Sequence, residues 1–151
     1  RDIGVTGVQT CALPIWERAE RIELVGWDVP ATVKRGQPFE IVVYFRALAP
    51  LDRPWKVFVH VDSVRDRARH LADHEPLNGE CPTAAWQPGD LLVDRVTTTI
   101  RDTLPAGSYA MWIGFYTGWP PRWRNLEVHT APAAMWDPAY ERIKITELTV
   151  E

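Results

Sequence analysis

From residue 21 onward the chain alternates apolar and polar positions with a period of two, and no stretch sustains the spacing of an amphipathic helix. The pattern predicts strands over 21–29, 39–47, 55–62, 91–100, 107–117 and 142–150, with a shorter one over 124–128. The two faces are clearest in 55–62, where Trp55, Val57, Val59 and Val61 oppose Lys56, Phe58, His60 and Asp62. Pro30, Pro38 and Pro54 fall at strand ends, where a missing N–H does least harm. The stretch 63–90, rich in Pro, Gly, Asp and His, is predicted as a long connection. Connections of that length usually carry function or short structure of their own. The stretch 132–140 reads as an irregular link or a single helical turn. Some seven to eight strands joined by Gly/Pro turns predict an all-β, antiparallel β-sandwich of immunoglobulin-like or jelly-roll-like form.

The first residues break this pattern. Read back into codons, Val5 to Ile15 resembles the translation of a short-read sequencing adapter, and Arg1-Asp2 fits its flank. We therefore expect 1–15 to be a non-native adapter-derived segment, and 16–151 to be a single β-sandwich domain belonging to the C-terminal part of a longer protein. Cys11 then drops out, Cys81 is left without a partner thiol, and no disulfide is expected.

Charge narrows the classes. The formal net charge is −3, and the Arg-rich stretch Arg65, Arg67, Arg69 is interleaved with Asp62, Asp66 and Asp73. A nucleic-acid partner is not expected, because binding phosphates needs a basic face. No apolar run is long enough to span a bilayer. Eight tryptophans are available either for core packing or for stacking on sugars.

Candidate chemistry concentrates in the long connection and beside it. Asp73, His74, Glu75, Asp90 and Asp94 supply carboxylates and an imidazole, and His60 shares a strand face with Asp62. Two readings stay open. In one, Asp73 and Asp90 cap turns, while the histidines satisfy carbonyls or the same carboxylates. In the other, the set contacts a ligand. A divalent cation held by His60, Asp73, His74, Asp90 and Asp94 is a third, weaker reading, since no His-Glu-x-x-His or Asp-x-Asp-x-Asp-Gly spacing is present. Trp86 lies among these groups, either as a stacking platform or as a plug for the open end of the sandwich. Trp119 and Trp123, in a Pro-Pro loop, are candidates for exposed contact. No catalytic residue is assigned: Ser63 and Ser108 lack a nucleophile-elbow context, and Cys81 lacks a Cys-His signature. No cofactor is expected.

Several motifs occur in a recognisable order. They are Val57-Phe58-Val59-His60-Val61-Asp62, Asp73-His74-Glu75-Pro76, Pro82-Thr83-Ala84-Ala85-Trp86-Gln87-Pro88-Gly89-Asp90, Asp94, and Pro105-Ala106-Gly107-Ser108-Tyr109 with Gly114-Phe115-Tyr116. On these, the span 36–128 resembles the C-terminal extracytoplasmic β-sandwich of bacterial membrane glycosyltransferases of the lipid-carrier-dependent, protein-mannosyltransferase-like kind. The resemblance implies a non-catalytic accessory module on the periplasmic or cell-envelope face. Its implied partners are the membrane domain of the same polypeptide and a glycan or glycan acceptor. A purely structural or protein-interaction sandwich of a larger envelope protein is the alternative.

Overall fold

A computed structural model describes residues 15–16 and 21–151. The segment expected to be adapter-derived lies outside the described residues except for Ile15, which pairs with Glu23 on one side and Thr130 on the other. The strands are β1 (Ile15–Trp16), β2 (Ile22–Asp28), β3 (Thr32–Val33), β4 (Pro38–Ala47), β5 (Lys56–Ser63) and β6 (Arg69–Leu71). They continue with β7 (Leu91–Thr99), β8 (Gly107–Thr117), β9 (Arg124–Asn125), β10 (Val128–Thr130), β11 (Trp136–Asp137) and β12 (Arg142–Val150).

These strands form two sheets packed face to face, an all-β sandwich. One runs β10-β1-β2-β4-β7; the other runs β11-β12-β8-β5-β6, with β3 added beside β12 and β9 beside β8. Pairing is antiparallel except between β3 and β12. Alternation explains the core. Val57, Val59 and Val61 of β5 and Met111, Ile113 and Phe115 of β8 face Leu24, Ile41, Val43 and Phe45 of the opposite sheet.

The six long strands are those that the alternation predicts, within a residue or two at their ends. The expected total of seven to eight is too low, because the edges carry short pieces of two or three residues that leave no periodic signal. The expected single strand over 124–128 is a second difference. It divides into β9 and β10, which belong to opposite sheets, and the buried Leu126 between them donates its N–H to the Phe115 carbonyl at 2.9 Å. The stretch 63–90 is no bare loop: it holds β6 and 3-10 turns at Pro76–Gly79 and Thr83–Ala85. Another 3-10 turn, Ala133–Met135, sits in the predicted irregular link. Among the described residues, no helix is long and apolar enough to cross a membrane.

Candidate functional site

The polar residues singled out in the sequence do not converge on one point. They divide between the seam that holds the 63–90 stretch to the sandwich and the outer face of the β5–β8 sheet.

On the seam, His74 donates from Nδ1 to the Ala72 carbonyl at 2.8 Å and from Nε2 to Asp94 Oδ2 at 2.6 Å. Both partners are acceptors, so the ring donates twice and is an imidazolium. Burial opposes that charge, but the hydrogen bond and charge of Asp94, helped by the Ala72 carbonyl, outweigh it and raise the His74 pKa. The other Asp94 oxygen accepts the Leu77 N–H at 2.9 Å. That bond holds Leu77 and Asn78 at φ 53° and 55°, a left-handed turn that non-glycine residues rarely adopt. Asp90 accepts the Gln87 N–H at 2.8 Å and closes its own turn.

Trp86 belongs to the core. It is 1% exposed, packs against the Phe45–Phe115 ring pair, and donates its indole N–H to the Cys81 carbonyl at 3.1 Å. With no open face it offers no stacking platform, and it fills the end of the sandwich as a plug. The five-residue cation set is not assembled either. Among the described residues no three His, Cys, Asp or Glu side chains are placed to hold a metal ion.

The outer face is different. On β5 and β8 the residues facing away from the core include Phe58, His60, Trp112 and Tyr116, and over Phe58, His60 and Tyr116 lies a groove of about 620 Å³. That volume falls within the range of about 300–1,000 Å³ typical of ligand pockets. Phe58 is buried in its floor because Gly114 lies beneath: a Cβ there would meet the Phe58 ring at 2.2 Å. Glycine inside a strand often marks such a close approach. Trp123 stacks on Tyr116, with centroids 5.5 Å apart and planes 18° from parallel, yet stays 53% exposed.

Polar groups ring these aromatics. Arg69 forms a two-bond pair with Asp62, at 2.6 and 2.8 Å, and Arg142 joins Asp62 at 2.8 Å and Asp137 at 2.8 Å. The Arg142 guanidinium also lies over the Trp112 ring at 4.4 Å and the Tyr140 ring at 5.0 Å. Arg142 donates to His60 Nδ1 at 3.2 Å, which makes Nδ1 the acceptor nitrogen and Nε2 the protonated one. Burial, reinforced by the Arg69 and Arg142 charges, pushes the His60 pKa down to about 4 against the pull of Asp62. His60 is therefore a neutral donor at ordinary pH. Asp73, whose pKa burial raises, accepts the Val59 N–H at 3.1 Å and lines the groove, as do Glu127 and Glu141.

A smaller cavity of about 220 Å³, lined by Glu75, Lys56 and Trp119, lies at the end of the same sheet. Trp119 is 75% exposed, with the Lys56 ammonium 4.9 Å from its ring centroid. The turn that carries Trp119 and Trp123 needs glycine at its start. Gly118 has φ +92°, and a Cβ there would strike the Arg122 carbonyl oxygen at 2.3 Å.

Of the residues named from sequence, His60, Asp73 and Trp123 thus line the groove, and Glu75 and Trp119 line the smaller cavity. His74, Trp86, Asp90 and Asp94 hold the 63–90 stretch in place. Sequence reasoning missed Arg69, Tyr116, Glu127, Tyr140 and Glu141 as groove residues. The available signal was an apolar Phe58 on the polar face of its strand, with Trp112, Gly114 and Tyr116 alternating on another. Comparison with protein-family models and with curated proteins finds no match.

Proposed function

We propose that this domain is a non-catalytic accessory module that binds a glycan in the groove on the outer face of the β5–β8 sheet. One observation carries the reading: the half-exposed Trp123 ring, braced by Tyr116, stands among fixed polar groups in a groove of about 620 Å³. Sugars present an apolar C–H face and a rim of hydroxyls, so an aromatic ring beside rigid donors and acceptors suits them. Arg69, Asp73, Glu127, Glu141 and the neutral His60 supply that rim.

Charge narrows the glycan class. Among the described residues that line the groove, Asp73, Glu127 and Glu141 meet one cation, Arg69, which is already paired with Asp62, and the Arg142 beside His60 is paired with Asp62 and Asp137. The groove thus favours neutral or amine-bearing sugars over uronates and other acidic ones. The sequence resemblance adds a setting to the proposal: an extracytoplasmic module attached to an envelope glycosyltransferase, whose chemistry belongs to its membrane domain.

Glycan-array screening of the chain tests the reading. We expect neutral and amino-sugar glycans to bind, acidic ones to bind weakly, and Trp123→Ala to lose binding with an unchanged melting temperature. Silence across the array would leave the purely structural or protein-interaction sandwich as the better account.

A further inference from the structure

The groove and the smaller cavity are neighbours along one face. Lys56, in the smaller cavity, is the register partner of Tyr116, in the groove. Asp73 and Glu75, two residues apart, line the groove and the cavity respectively, and the charges of both act on the Tyr116 hydroxyl. The turn 118–123 puts Trp119 in one and Trp123 in the other.

The smaller cavity also holds an unusual group. Trp55 lines it, is 1% exposed, and its indole Nε1–H is buried with no acceptor among the described residues. Buried donors nearly always have a partner, and leaving one without is costly. The cavity walls are largely apolar, with the rings of Pro54, Pro76 and Pro82 among them. A small chamber with an aromatic ring, Trp119, at its mouth and Lys56 and Glu75 at its rim is suited to a single ring bearing oxygens.

We propose that the groove and the smaller cavity are consecutive subsites for one oligosaccharide. The terminal ring enters the smaller cavity against Trp119, within reach of Lys56 and Glu75, while the following units cross Tyr116 to stack on Trp123. The proposal rests on the glycan reading and extends it from a sugar to a chain of at least two or three units.

The test is affinity against chain length, measured by calorimetry on the full chain with gluco- and chito-oligosaccharides from monosaccharide to hexasaccharide. We expect affinity to rise about tenfold once both subsites can be filled. Trp119→Ala should remove that gain while leaving the shortest binders unaffected, whereas Trp123→Ala should weaken all of them. Equal affinity for short and long sugars, or a Trp119→Ala protein that keeps the full gain, would overturn the two-subsite path and leave the groove reading standing. Binding of no sugar at any length would overturn both.

Discussion

Two histidines from one sequence cluster end in opposite circumstances. His74 is packed between two acceptors, Ala72 and Asp94, and its charge is used up within the chain. His60 lies on the outer face, is held neutral by burial and two guanidinium groups, and among the described residues is hydrogen-bonded through Nδ1. The difference separates groups spent on holding the chain together from groups that line a groove. At the seam His74 and Asp94 close bonds that fix the 63–90 stretch. On the outer face the polar groups are fixed from behind, by Arg142 and Asp62, and present what remains to a groove.

The largest expected effect comes from breaking the seam. Asp94 is 1% exposed, and Asp94→Ala removes the acceptor of both His74 Nε2–H and the Leu77 N–H and frees the Leu77 turn. Removing one member of a buried pair costs about 3–5 kcal/mol. Urea denaturation should show that loss, whereas a cost near zero would mean the pair does not anchor the stretch. Next comes Gly114→Ala, whose Cβ must displace the Phe58 ring. Overpacking of this kind costs about 1–3 kcal/mol. Because Phe58 is the groove floor, glycan affinity should fall with stability, and a variant that loses stability alone would detach the floor from the site.

The smallest effect, and the sharpest for the comparison, is in pH. The His60 pKa falls from 6.5 unfolded to about 4 folded, so the unfolded chain binds more protons in that window. Stability should fall as pH drops from about 6.5 toward 4, and His60→Gln should flatten that limb. His74 runs the other way. Its folded pKa is raised, so its contribution is complete below the unfolded value of 6.5 and fades as pH climbs through the folded one. Melting temperatures across pH for His60→Gln and His74→Gln should therefore change on opposite sides of about pH 6.5. Change on the same side would refute the assignment of charge to one ring and neutrality to the other.

How much of this was legible in the sequence follows from distance along the chain. The six long strands and their inner faces were legible, because a half-buried strand writes its burial locally, as Val57, Val59 and Val61 do. The plug role of Trp86 was one of two readings, and its burial against the Phe45 and Phe115 rings decides it. The pairing of His74 with Asp94 spans twenty positions, and that of Arg142 with His60 spans eighty-two. Such contacts depend on sheet order, which alternation does not encode. The groove was illegible for the same reason: Phe58, Asp73, Tyr116, Trp123 and Tyr140 meet only after β5 and β8 pair. The short edge strands carried too few residues to show a period.

The central claim is that the outer face binds and the seam does not. Nuclear magnetic resonance tests it most directly, by following the tryptophan indole N–H signals while a neutral oligosaccharide is titrated into the intact chain. The account predicts that the Trp123 and Trp119 signals move and saturate together while the buried Trp86 signal stays in place. Signals that do not respond to any neutral or amino-sugar chain, or a response centred on Trp86, would contradict it.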